Sequence, residues 1–202
     1  MPSPIGHALA GVVVVYSADL VTHHCSSPRF VALCAGLAAL PDADLLIPGT
    51  HRTFTHSITA ACVTFIVAAV VTGQVTRLHA SRFGVESPPE AKRFGAASRH
   101  RAKDGWWTAS VAALAYASHL LLDWLGADQY APYGLQLLWP WSDRWFISNL
   151  DIFRQTARLR FLTPPIMWQN TLAVAQELAI LVPIVALLWI LRSSLGAAAQ
   201  RS

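Results

Sequence analysis

In the stretch SHLLLDWL, His119 and Asp123 stand four apart, so any helix that carries them presents both on one face. One imidazole and one carboxylate on a face begin a site for a divalent ion. The plainer alternatives are an intrahelical hydrogen bond or a polar contact between packed helices. LPDADLL adds Asp42 and Asp44, and its Pro41 breaks or kinks a helix, re-aiming the carboxylates and freeing backbone carbonyls. Alone, these acids read as a solvated helix end. HRTFTHS follows at once with His51, Arg52 and His56. Two acids with no lysine nearby repel each other in a poorly hydrated site, and a cation between them removes that cost. His51 and His56 are too far out of phase to share a helical face. Their spacing places His51 in a loop and His56 in the first turn of a helix, with Thr55 as its cap. Arg52 matches a phosphate or carboxylate bidentately, or anchors the segment at an interface. His7, in SPIGHALAG, sits among small residues that allow close helix approach, where a lone histidine is more often a packed residue than a ligand.

The elements that position these residues follow from composition. Of 202 residues, 54% are hydrophobic and 13% charged, against about 25% charged in a soluble domain. Five apolar segments, 5–21, 30–47, 57–74, 107–126 and 172–191, approach the ~20 residues that a helix needs to cross hydrocarbon. The expectation is an all-α, polytopic membrane helical bundle of about five spans, forming a single domain over 1–202. A net charge of +4 does not indicate nucleic acid, because the basic residues are spread over loops between apolar segments. Cys25, Cys34 and Cys62 form no C-x-x-C pair and read as small packing residues. No basic region precedes the first apolar stretch, so it is expected to remain as the first membrane helix.

The polar connector 75–105 carries seven Lys and Arg and is assigned to the cytoplasm together with Arg29, Arg192 and Arg201. Arg52, Arg144, Arg154, Arg158 and Arg160 fall outside, as does an interfacial loop over 128–170. Within that loop, 130–150 is rich in Trp, Tyr and Pro, which suits a headgroup-level anchor or a lid. Alternation of the helices then has one consequence. His7 at the start of the first, Asp42 and Asp44 at the end of the second, His51 and His56 before the third, and His119 and Asp123 at the end of the fourth all reach one membrane level. Glu177, in the last segment, lies near the same end, either as a further site carboxylate or paired with Gln176 or a neighbouring helix.

Taken in order, GHALAG, LPDADLL, HRTFTHS, HLLLDWL and LLWPWSDRWF resemble the YdjM-type family of membrane-bound, metal-dependent hydrolases over roughly residues 2–150. The resemblance implies an inner-membrane helical protein with a metal-dependent hydrolase signature. It also implies a distant similarity to zinc-dependent phospholipase C and its nuclease relatives, all-helical enzymes that cleave phosphoesters with His and Asp around metal ions. His7, Asp42 or Asp44, His51, His56, His119 and Asp123 fall on its polar motif positions. Thr53 departs from the pattern, which has Gly after the His-Arg pair.

These observations support three functions. The first is a membrane-embedded metallohydrolase. Its metal ligands are expected to be His7, Asp44, His51, His56, His119 and Asp123, with Asp42 or Asp44 as general base and Arg52 as anion clamp. The mixed His and Asp set suits one to three ions of zinc, with manganese or iron as alternatives, better than magnesium or calcium. A site at headgroup depth on the outer, periplasmic side of the inner membrane suits a lipid or lipid-linked phosphoester, and no nucleic acid. The second is a transporter that binds metal or relays protons without chemistry. The third is a structural protein using polar helix contacts, which accounts for pairs of polar residues but not for six or seven at one level.

Overall fold

Serine–proline starts open the first two helices. Helix α1, Pro4–Thr22, begins at Ser3, whose hydroxyl accepts from Gly6 N–H at 3.2 Å, and ends at His23 in the left-handed region. Helix α2, Pro28–Ala39, begins in the same way at Ser27. A serine cap satisfies one orphan N–H, and proline at N1 has none to lose. The computed structural model describes residues 1–47, 52–82, 88–157, 160 and 162–199, and the side chains of all of these but 46, 75–103 and 195–199. Helices α3, Ile58–Arg82, α4, Pro88–Leu125, and α5, Pro164–Ala199, complete the bundle.

Two expected boundaries move. The α-helix in the second apolar segment stops at Ala39, and Leu40–Leu46 continues as 3-10 turns. Pro41 explains the change, since it cannot supply the N–H that the next helical bond requires. The connector 75–105 is helical up to Arg82 and again from Pro88. Ser57 caps α3, accepting from Ala60 N–H at 3.2 Å, so Thr55 is not the cap and His56 lies in a 3-10 turn, Phe54–His56, ahead of the helix.

Helix α1 is central and packs against α2, α4 and α5, while α3 pairs with α4. Val15, Cys34, Val111 and Ala115 are buried where α1, α2 and α4 meet. A Cβ on Gly11 would lie 2.6 Å from the Cys34 carbonyl oxygen, so only glycine allows this approach of α1 to α2. Helices α1 and α5 run parallel. Glu177 of α5 meets Ser3 at one end of α1, and Arg192 of α5 meets Asp19 near the other, at 2.8 Å. The described residues between 126 and 163 form no α-helix and instead fold over the end of the bundle. Leu135 and Phe146 exchange backbone bonds, and Ile58 N–H donates to Leu137 O at 2.9 Å.

Helix α1 and the Pro164–Ser194 part of α5 are long and apolar enough to cross a membrane, and Ile58–Gln74 of α3 is apolar but shorter. Only 11% of the α5 window is buried within the protein. Its Ile184, Leu187, Trp189 and Ile190 point outward, as do Val63, Ile66, Val67 and Val70 of α3. A soluble bundle turns such faces inward, whereas hydrocarbon solvates them. Cys34 is buried, Cys25 and Cys62 are exposed, and all three are free thiols.

Candidate metal centre

Four segments deliver side chains to one buried point. His7 comes from the second turn of α1, Asp42 from the 3-10 turns after α2, His56 from the turn before α3, and His119 with Asp123 from the last two turns of α4. His7, His56, His119 and Asp123 are fully buried, and Asp42 retains 7% exposure. Two sets of three place one donor atom each within 4.8 Å of the others: His7, His119 and Asp123, and Asp42, His56 and His119.

The tautomers can be read from the outer hydrogen bonds. His119 Nδ1 lies 2.8 Å from Ala38 O, which can only accept, so Nδ1 carries a proton and Nε2 faces inward. Pro41 prepares that acceptor, because a 3-10 turn would direct the N–H of residue 41 to Ala38 O and proline has none. On His56, Nδ1 lies 3.2 Å from Asp44 Oδ2 and 2.9 Å from Thr55 Oγ1. Thr55 donates its own hydroxyl proton to Asp44 at 2.5 Å, so toward His56 it accepts. Nδ1 of His56 is again the donor. The two inward nitrogens, His56 Nε2 and His119 Nε2, stand 3.0 Å apart.

Asp123 faces three imidazoles. Its Oδ2 is 3.2 Å from His119 Nε2 and 3.4 Å from His56 Nε2, and its Oδ1 is 3.3 Å from His7 Nε2. Among the described residues neither oxygen has an aligned hydrogen bond, and neither does either nitrogen of His7. Buried polar atoms are rarely left so. A divalent cation among these donors would satisfy the Asp123 oxygens and His7 Nε2 together, and mixed imidazole and carboxylate donors suit such an ion. Electrostatics favour positive charge here. Burial alone would push His56 down, but hydrogen bonds to Asp42 and Asp44 and the charge of Asp123 outweigh it, lifting His56 to about 9.

Not every expected residue reaches this point. Asp44 stands behind His56 and also accepts from Arg52 N–H at 3.2 Å, so it orients His56 from outside both three-residue sets. Arg52 has φ 67° and directs Nη1 to Asp128 at 2.6 Å, tying the turn to the loop that covers it. His51 lies outside the described residues. The sequence reading missed Thr55 as a partner of Asp44, the Ala38 carbonyl, Asp128, and Tyr116, whose hydroxyl donates to Thr55 O at 2.6 Å. Tyr116 was findable: at i−3 from His119 it shares that face of α4. The others leave no signature of residue type.

An all-helical protein with membrane-length apolar helices and a buried His and Asp cluster at one end of the bundle is what fold and site define. The chain belongs to the YdjM inner membrane protein family, whose model matches residues 1–196. No curated protein and no solved structure matches it. The expected distant similarity to phospholipase C therefore has no support from those comparisons.

Proposed function

We propose that this protein is a multi-pass inner-membrane, metal-dependent hydrolase acting on a phosphoester or related bond of a lipid or lipid-linked substrate. The observation that carries the reading is the pair of inward-facing Nε2 atoms, 3.0 Å apart with both Nδ1 atoms committed as donors. Two lone pairs converging beside two carboxylates repel unless a proton or a metal ion lies between them, and either one is held at this point by the same charges. Both three-residue sets include His119, which favours a single ion. Zinc suits the donors best, with manganese and iron next.

A bound divalent ion would supply an acidified water and neutralise charge on the scissile oxygen. The chain's own residues do the rest. Asp44 and the Ala38 carbonyl orient two imidazoles, Asp123 supplies the central negative charge, and Asp42 stands at the open edge. That position suits Asp42 to take a proton from the attacking group as substrate approaches from its side. Arg52, held by Asp128, remains close enough in sequence to the site to keep its turn in place, and an anion-holding role for it rests on release from that carboxylate.

Five helical segments, the second extended by its 3-10 turns, give the multi-pass reading, with the basic connector in the cytoplasm and the site outside. At the site end, Trp141, Leu162 and Trp168 are 79%, 75% and 65% exposed, which suits a headgroup-level belt. The test is elemental analysis of the detergent-purified protein, followed by product release from phosphoester lipids in mixed micelles. Stoichiometric metal with turnover that Asp42→Ala abolishes supports the hydrolase. Metal-dependent flux into liposomes without product would move the reading to a transporter, and a folded protein that takes up no metal would leave a structural role.

A further inference from the structure

Three imidazoles meet at the cluster, and two of them are oriented by a hydrogen bond on Nδ1: His119 by Ala38 O at 2.8 Å and His56 by Asp44 at 3.2 Å. His7 is the exception, since its Nδ1 has no hydrogen-bond partner among the described residues. Its ring is placed by stacking on His119, by the Asp123 carboxylate 3.3 Å from Nε2, and by where α1 sets its backbone. What fixes the backbone is Ser3, one turn earlier. Ser3 O accepts from His7 N–H at 3.1 Å, and Ser3 Oγ accepts from Gly6 N–H at 3.2 Å.

Ser3 is held in turn by α5, a helix that sends no residue into the cluster. Glu177 Oε1 accepts from Ser3 N–H at 2.7 Å, and Oε2 accepts from the Ser3 hydroxyl. The carboxylate lies against the open N-terminal end of α1, where the helix dipole and free N–H groups favour negative charge. It fills the space beside Gly6, where a Cβ would sit 2.6 Å from Oε2. Glu177 is fully buried and is the sole charged residue between Pro164 and Leu191. A carboxylate in such a stretch is costly and marks a function.

We infer that Glu177 is a positioning residue for His7, acting through Ser3 to hold this imidazole in the metal centre. The inference rests on the metal-centre reading above. The experiment therefore has one arm that needs no metal. Chelator-treated protein in detergent is exposed to diethylpyrocarbonate, and modification of each histidine is read by peptide mass spectrometry. In Glu177→Ala, modification of His7 rises several-fold while His56 and His119 stay protected, and Glu177→Gln, which keeps an acceptor for Ser3 N–H, remains near wild type. In the second arm, zinc affinity by competition with a chelating dye falls about 10- to 100-fold in Glu177→Ala, the usual cost of losing a ligand's support.

An unchanged His7 in Glu177→Ala overturns the inference, as does an equal rise at all three histidines, which would mean general loosening of the bundle. Zinc uptake absent from wild type would overturn the metal reading instead, with the His7 result still deciding the role of Glu177.

Discussion

His7 and His119 stack ring on ring, with centroids 3.7 Å apart and planes 21° from parallel. The stack joins the first turns of α1 to the last turns of α4, so these two imidazoles have a packing role beside the ligand role proposed for them. Replacement by shape separates them. His7→Phe keeps the stack and removes both nitrogens. It is expected to leave helicity and thermal unfolding close to wild type while bound metal falls, as measured by circular dichroism and elemental analysis on one sample. Retention of full metal content would remove His7 from the ligand set.

Asp42 and Asp44 are two residues apart but differ in role. Asp44→Asn retains an acceptor for Thr55 and weakens the hold on His56 Nδ1, so metal affinity should drop about 10- to 100-fold. Asp42→Asn removes a carboxylate that faces the inward nitrogens, 3.8 Å from both His56 and His119. It should abolish turnover even where metal is restored by excess zinc. Titration with zinc under an activity readout distinguishes the two: rescue for Asp44→Asn, none for Asp42→Asn. The opposite pattern would exchange their roles.

His56 supplies a pH dependence. Its value of about 9 in the folded protein lies above 6.5 for the free side chain, so the folded state binds its proton more tightly than the unfolded chain does. In chelator-treated protein this stabilisation is complete below about pH 6.5 and is lost as pH rises through 9. Melting temperatures between pH 6 and 9.5 should fall with pH, and His56→Gln should flatten that decline. Metal competes with the same proton, so apparent zinc affinity should rise over this window. A melting temperature that climbs with pH would contradict the assignment.

At the far end of the bundle, Arg192 Nε pairs with fully buried Asp19 at 2.8 Å, and Nη2 donates to Ser26 O at 2.5 Å. Asp19 also accepts from Ser26 N–H at 3.1 Å and from the Ser26 hydroxyl at 2.7 Å. Removing one partner of a buried pair typically costs roughly 3 kcal/mol or more, while replacing both with apolar residues recovers much of it. Arg192→Met should therefore destabilise the protein strongly, and Asp19→Leu with Arg192→Met much less. Thermal unfolding in detergent is the readout, and simple additivity of the two losses would show that the pair is not coupled.

The helical class and the convergence of four segments were legible because the period of apolar residues and the alternation of helices determine them. His7, Asp42, His56, His119 and Asp123 meet as that alternation requires. The roles within the set were less legible. Asp44 and Asp42 look alike in LPDADLL, and only the 3-10 path after Pro41 places one behind His56 and the other before it. Arg52 carries its charge in the sequence, but Asp128, the partner that occupies it, lies far along the chain in a loop with no periodicity. The length of α2 was misjudged for a related reason, since hydropathy does not distinguish an α-helix from 3-10 turns.

Glu177 and Arg192 sit about 22 Å apart along α5, and their partners Ser3 and Asp19 about 24 Å apart along α1, at 1.5 Å per residue. Matched at both ends, α5 can neither piston nor roll against α1, and the two form a fixed post. The 40–46 and 54–56 turns are held by other contacts, Asp44 accepting from Arg52 N–H and Thr55 O accepting from the Tyr116 hydroxyl of α4. They lie beside Asp42, where the cluster retains some exposure. His7, by contrast, is carried on a pillar braced at both ends, so its place in the cluster depends on a buried ion pair at the opposite end of the bundle as well as on Glu177 beside it.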